Sequence, residues 1–86
     1  MPTISRFMGI TITMYFDDHP PPHFHARAAG ASAKIRIDTF EAIASNLPPR
    51  EMRLILTWAR LHAFELRVNW RRAREGSALT VIESLQ

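Results

Sequence analysis

The residues best suited to chemistry in this chain are three histidines within seven positions, His19, His23 and His25. Imidazole can act as a general acid or base near neutral pH, and it is a common metal ligand. Two carboxylates, Asp17 and Asp18, directly precede the cluster. These residue types and their spacing indicate a site for a metal ion, for a phosphate group or for acid–base catalysis.

The segment that carries the histidines predicts how they are positioned. Three prolines, at positions 20–22, stiffen the approach, because each proline fixes its own φ and biases the preceding residue towards extended backbone. Positions 23–29 then follow the pattern of a strand. Because side chains alternate between the two faces of a strand, His23 and His25 should project together, while Phe24 faces the other way.

Several interpretations of this cluster stay open. As a zinc site, His19, His23 and His25 would supply three nitrogens and a nearby carboxylate an oxygen. As a metal-free, ribonuclease-type site, two of the histidines would act as general base and general acid on a ribose 2′-hydroxyl and the leaving oxygen. The same side chains could instead bind phosphate without cleaving it, or be structural residues of a non-catalytic interaction module.

Length and composition restrict the class of protein. The 86 residues predict a single domain, spanning positions 1–86, and the hydrophobic share of 47% is that of a globular protein. The absence of cysteine excludes disulfides and thiolate metal sites. No window is long and apolar enough for a membrane span, and the first residues lack the apolar run of a signal peptide. We therefore expect a cytoplasmic protein with no membrane contact.

Arginine dominates the positive charge. The net charge is +3, and arginine supplies ten of the eleven basic residues. Guanidinium groups bind phosphate and carboxylate in a bidentate manner, so RNA and an acidic protein are both plausible partners. Arg27 lies next to the histidine cluster, and further arginines recur on one face of the predicted helix. We expect these residues to contact phosphate or a partner: Arg27, Arg53, Arg60, Arg67 and Arg71.

The N-terminal half has the pattern of an antiparallel sheet. Strands are predicted over about residues 3–8, 10–16, 23–29 and 32–38, with a short fifth strand between 39 and 46. A final edge strand is predicted over about 79–85. The second strand places four apolar side chains on one face, Ile10, Ile12, Met14 and Phe16.

The C-terminal half is helical from about residue 50 to Glu75, before Gly76. A straight helix of that length would measure about 40 Å, whereas a compact domain of this size has a radius of gyration of about 12 Å. We therefore expect one long bent helix or two helices, with the break at 62–65, packed on the sheet in an α+β fold. The helical pattern separates a main apolar face from a third face that includes Trp58, His62 and Asn69. Apolar surface in excess of what the sheet can cover suggests a homodimer.

Specific motifs in the chain resemble a known bacterial family of domains of unknown function, numbered 4160. The main one is the run His-Pro-Pro-Pro-His-Phe-His-Ala at 19–26. Similar stretches are the opening Met-Pro-Thr-Ile-Ser-Arg-Phe, Met-Tyr-Phe at 14–16, Leu-Pro-Pro-Arg at 47–50, Trp58, Leu-His at 61–62 and Asn-Trp at 69–70. The chain departs from the family at Ser45 and Asn46, where the family has small residues or glycine before Leu-Pro.

The resemblance implies a working context but no reaction. Members of that family often have a neighbouring gene for another small domain, an arrangement similar to a toxin–antitoxin module. It implies a small protein that acts with a cognate partner protein, on RNA or on that partner. Whether the chain is an enzyme stays open.

Overall fold

A computed structural model describes residues 2–85 of the chain. Five strands form one antiparallel sheet in which each strand pairs with its neighbour in sequence, and two helices follow. The elements are β1 (Thr3–Phe7), β2 (Ile10–Thr13), β3 (His23–Ala28), β4 (Ala31–Arg36), β5 (Ala42–Ser45), α1 (Pro49–Leu61) and α2 (Ala63–Glu75). The predicted α+β class, the sheet and the fifth strand are confirmed.

The helices pack on one face of the sheet because side chains on that face are apolar. Phe24, Ala26 and Ile35 alternate with polar neighbours along β3 and β4 and are buried. They form one core with residues of both helices, and the Phe24 ring lies 5.8 Å, between centroids, from the Trp58 ring. The other face of the sheet is open around His25, whereas His23, at the start of β3, is buried.

The second strand is shorter than its sequence pattern predicts. β2 ends at Thr13, and although Ile10, Ile12 and Met14 are buried as expected, Phe16 is 43% exposed. The chain leaves the sheet after Met14 to form the loop that carries the carboxylates, so the two-residue alternation no longer decides which side chains face the core. The prediction that the second strand extends to Phe16, on the face of Ile10, Ile12 and Met14, was wrong.

The helical segment breaks at His62, inside the predicted window. Proline starts α1 at its first position, where the missing N–H needs no partner, and Gly76 ends α2 in the left-handed conformation with φ of 75°. At His62 the backbone departs from helical geometry, with φ −116° and ψ 27°. The described chain spans 33 Å in its longest dimension, which is shorter than one straight helix would require. Within residues 2–85, neither helix is long and apolar enough to cross a membrane.

The C-terminal segment is extended but is not a strand, so the predicted edge strand over 79–85 was wrong. The Ile82 N–H donates to the Ile4 carbonyl at 2.7 Å, and the Ser84 hydroxyl donates to the Arg6 carbonyl at 2.8 Å. The Asn69 side chain also holds this segment, because its amide forms hydrogen bonds with both the N–H and the carbonyl of Thr80, each at 2.8 Å. Backbone pairing with β1 is thus too sparse to form a ladder.

Two residues that the helical pattern assigns to a separate face belong to the core. Trp58 and Asn69 are fully buried. The Trp58 ring contacts Phe7 as well as Phe24, and its indole N–H donates to the Glu83 carbonyl at 2.9 Å. The C-terminal segment packs against this side of both helices. A helical projection considers only the helix itself and so could not predict that this side is buried.

Two hairpins use two-residue turns in which both residues have positive φ. Ala29 has φ of 50° before Gly30 at 77°, and Met8 has φ of 50° before Gly9 at 78°. Such turns match the twist of the strands. Most residues with a Cβ are strained at positive φ, but asparagine tolerates this conformation better than alanine does.

We expect Ala29→Asn to raise the free energy of unfolding by about 0.5–1 kcal/mol, because asparagine suits the first position of this turn. Urea denaturation followed by circular dichroism measures the change. The matched control is Gly30→Ala, which adds a Cβ at φ 77° and should destabilise the protein. An Ala29→Asn variant less stable than the parent would contradict the strain argument.

Candidate functional site

Asp18, His23 and His25 form a compact polar cluster at one end of the sheet. The same carboxylate oxygen, Oδ2 of Asp18, lies 2.9 Å from Nε2 of His23 and 3.1 Å from Nε2 of His25. The two imidazole rings are 5.1 Å apart between centroids. Both rings project from the same face of β3, as the alternation predicts.

The loop before β3 holds Asp18 in place through backbone contacts. Asp17 adopts a left-handed conformation with φ of 56°, which aspartate tolerates, and turns the chain back towards the sheet. The Arg74 guanidinium donates to the Asp18 carbonyl at 2.7 Å and so ties the loop to the end of α2. The Ile37 N–H donates to the Pro22 carbonyl at 3.0 Å, and the Pro20–Pro21 bond is cis.

The two histidines have different surroundings. His23 has only 4% of its side chain exposed, and its ring packs 5.3 Å from that of Trp70. Its Nδ1 donates to the Pro21 carbonyl at 2.7 Å. His25 is half-buried and stands edge-on to the Tyr15 ring at 4.6 Å, where it lines the open face of the sheet. A ligand on that face can therefore reach His25 but not His23.

Ionisation in the cluster reflects burial and these contacts. Burial raises the pKa of the Asp18 carboxyl, but hydrogen bonds from His25 and from the His19 N–H, with the charge of His23, bring the pKa below its ordinary value. Burial lowers the pKa of His25, and its hydrogen bond to Asp18 offsets this only in part. The positive charges of His23 and Lys34 act in the same direction as burial. The neutral His25 ring is thus favoured near pH 7, with Nε2–H donating to Asp18.

The third predicted site histidine does not join the cluster. Among residues 2–85, the grouping whose ligand atoms lie within 4.8 Å of one another consists of Asp18, His23 and His25. His19 is exposed, and its backbone N–H donates to Oδ1 of Asp18 at 2.9 Å. The structure thus brings Asp18, and not His19, next to His23 and His25. Asp18 and His19 are adjacent, and the backbone conformation of the loop, in which Asp17 has φ of 56°, decides which of the two side chains faces the sheet.

The open sheet face continues the site as a basic surface. Residues paired across antiparallel strands lie on the same face, so the register places side chains in rows. One row contains Arg6, Thr11, Arg27 and Ser32, and the next contains Thr13, His25, Lys34 and Ala44. Together with Tyr15 and Asn46, residues of these rows line an open concavity of about 470 Å³. We call this the open sheet face.

The helix arginines lie on a different surface from Arg27. Arg53 and Arg60 are exposed on α1, and Arg67 and Arg71 are exposed on α2, so both pairs lie on the helical side of the sheet. The break at His62 separates the pair on α1 from the pair on α2. Within the described chain none of the four forms a salt bridge, and the only aromatic contact of the group places Arg60 6.0 Å from the Phe40 ring centroid. The structure thus separates the predicted binding residues into two surfaces.

Sequence reasoning missed several residues of the open sheet face. Arg6, Tyr15 and Lys34 were not among the predicted site residues, yet they share the face of His25 and Arg27. The alternation of β4 already placed Lys34 outward. The sequence did not reveal the pairing register between β3 and β4, which places Lys34 opposite His25.

Comparison with known proteins gives a family and no activity. A family model described as "Domain of unknown function (DUF4160)" matches residues 9–71, which is more than half of the chain. The match includes the whole Asp18–His23–His25 cluster and both residues that anchor the C-terminal segment, Trp58 and Asn69. No curated protein and no solved structure matches the sequence.

Proposed function

Since this chain belongs to the family of domains of unknown function DUF4160, which prescribes no activity, we propose from its geometry that it binds single-stranded RNA on the open sheet face. The observation that carries the proposal is the cross-strand placement of Arg6, Arg27 and Lys34 on the face of His25, which is open at His25, Arg27 and Lys34. A component of a toxin–antitoxin-like module, as the family resemblance suggests, would use this face on its RNA target.

Unneutralised charge supports a phosphate ligand. Arg27 and Arg6 are exposed, Lys34 is half-buried, and within residues 2–85 none of the three forms a salt bridge. Arg36 on the same side is paired with Asp38 at 2.6 Å and is less available. Arg27 and Lys34 line the concavity, and Arg6 lies in the same cross-strand row as Arg27. Cations placed in this way can track a nucleic-acid backbone, whose binding free energy derives largely from phosphate contacts.

The shape of the face supports a single strand over a duplex. A concavity of about 470 Å³ is in the size range of small-ligand sites and can admit one or two extruded nucleotides. Tyr15 is half-buried at its edge and offers an aromatic ring beside His25. Aromatic rings next to basic side chains on a sheet are a common platform on which unpaired bases stack.

The geometry favours binding over two-histidine cleavage. General acid–base catalysis requires both groups to reach the substrate directly or through one water. His25 reaches the open sheet face, whereas His23 is enclosed by Pro21 and Trp70. We therefore assign His23 a positioning role, in which it holds Asp18 and, through it, His25.

We expect the double variant Arg27→Ala, Lys34→Ala to weaken RNA binding about tenfold or more, because it removes two phosphate contacts. It should also reduce the slope of log affinity against log salt by about 1–2. Fluorescence anisotropy with a short, labelled single-stranded RNA, titrated from about 50 to 200 mM salt, measures both quantities.

The matched control is Arg67→Ala, Arg71→Ala, which removes the same amount of positive charge from the helical surface. We expect it to leave RNA affinity within about twofold of the parent, since these residues lie on the other side of the sheet. Equal losses in the two double variants would indicate non-specific charge attraction, and a loss confined to the helix variant would move the RNA site to the helices. Either result would overturn the proposal.

The helical surface is better suited to a protein partner. Leu61 and Phe64 flank the break at His62 and are 68% and 70% exposed. On α2, Arg67 and Arg71 lie on the same side as Phe64, at helical spacings of three and seven residues. We propose that an acidic partner with apolar anchors docks here, and the surrounding positive charge disfavours a second copy of this chain.

A further inference from the structure

We propose that Asp18, His23 and His25 bind one first-row divalent transition metal ion, for which zinc is the experimental probe. The inference is independent of RNA binding, because it concerns three side chains whose ligand atoms lie within 4.8 Å of one another. Two imidazole nitrogens and one carboxylate oxygen suit zinc or ferrous iron better than magnesium or calcium, which prefer oxygen ligands throughout.

The spacing of the ligand atoms is that of a coordination sphere. Two atoms bound at about 2.1 Å to the same ion lie about 2.9–3.4 Å apart at angles of 90–110°. Oδ2 of Asp18 lies 2.9 Å from one imidazole nitrogen and 3.1 Å from the other. The two imidazole nitrogens lie within 4.8 Å of each other and would need to approach when an ion binds. His25, whose side chain is 27% exposed, is the histidine with room to move.

The hydrogen bonds of His23 prepare Nε2 as a ligand. Because Nδ1 of His23 donates to the Pro21 carbonyl at 2.7 Å, the neutral ring carries its hydrogen there. Nε2 faces Oδ2 of Asp18 at 2.9 Å and is then the ring atom available to a cation, which would take the place of a proton shared between these two atoms. A backbone carbonyl that accepts from the second ring nitrogen is the usual support of a metal-bound histidine. His25 would move its hydrogen to Nδ1 on binding.

The surroundings hold the ligands in place before an ion arrives. His23 is fixed between the Trp70 ring and the Pro21 carbonyl, and the Asp18 backbone is held by Arg74. Preorganised ligands lose less conformational entropy when they bind a metal. Three protein ligands also leave a coordination position open, as in catalytic metal sites. His25 lines the open sheet face, so that position would accept water or a phosphate oxygen next to Lys34.

The test is zinc binding by the untagged, chelator-treated protein. We expect isothermal titration calorimetry to give one zinc ion per chain, with a rise in Tm, and no comparable response to magnesium. In histidine-resolved NMR spectra of the unmodified chain, zinc should shift the ring signals of His23 and His25 and leave those of His19 and His62 in place. This measurement needs no variant and so does not depend on whether a substitution folds.

Variants then assign the ligands. His25→Ala, at a half-exposed position, and Asp18→Asn should each weaken zinc binding by more than about tenfold. The matched control is His19→Ala, which removes an exposed histidine outside the cluster and should leave the affinity unchanged. Absence of zinc binding by the parent protein, equal shifts of all four histidines, or an equal loss in His19→Ala would overturn the proposal.

Discussion

Replacing Trp58 with alanine is expected to lower the free energy of unfolding by about 3–5 kcal/mol. A domain of this size has a total stability of about 5–15 kcal/mol, so the loss is a large fraction of the total and should lower Tm by more than about 10 °C. This loss of stability reflects the position of the Trp58 side chain as well as its size. The ring is fully buried between the Phe7 and Phe24 rings, and its N–H holds the C-terminal segment through the Glu83 carbonyl.

Thermal and urea denaturation followed by circular dichroism measure this loss. Trp58→Phe separates the two contributions, because it retains an aromatic ring in the core and removes only the bond to Glu83. We expect it to cost less than half as much as the alanine variant. Arg53→Ala, an exposed change on the same helix, should alter stability by less than about 0.5 kcal/mol. A Trp58→Ala protein with a Tm within a few degrees of the parent would contradict the assigned core.

Asn69→Leu is expected to lower the free energy of unfolding by about 3 kcal/mol although it places an apolar side chain in the core. Two hydrogen bonds to Thr80 are lost at about 1 kcal/mol each, and the shape of the amide is not reproduced. Release of the segment would also expose Ile82, which is buried against β1.

Hydrogen exchange distinguishes this local release from general destabilisation. Amides of residues 79–85 should lose protection in Asn69→Leu by a larger factor than those of β3 and β4. The control is Ser84→Ala, which removes one exposed hydrogen bond from the same segment to the Arg6 carbonyl and should cost less than about 1 kcal/mol. Unchanged protection over 79–85 would show that Asn69 does not anchor the segment.

Features of the fold that depend on local pattern were predictable. The alternation around Phe24 and Ile35 defined the core face of the sheet, and the proline at helix position one and Gly76 marked where the helical half begins and ends. The break near His62 followed from length alone, since a straight helix would exceed the domain. All of these rest on interactions within a few residues or on overall dimensions.

Features of the structure that depend on contacts between distant segments of the chain were not predictable from the sequence. Asparagine in a helix is usually exposed. Asn69 is buried because the chain returns at Thr80, whose backbone forms hydrogen bonds with the Asn69 side chain. The cluster shows the same limit, because the sequence indicated three histidines while the structure groups two of them with Asp18. The left-handed turn at Asp17 decides which neighbour points inward, and backbone conformation in a proline-rich loop has no periodic signal.

The order of the strands along the chain also bears on how the protein folds. Every strand pairs with the next one in sequence, so the sheet can grow by closing short connections, each at a small cost in chain entropy. Contacts close in sequence are associated with fast folding. The hydrogen bonds from Ile82 to Ile4 and from Ser84 to Arg6 are exceptions, because they join positions separated by almost the whole chain. Docking of the C-terminal segment is therefore expected to be a late event, after the sheet and both helices have formed.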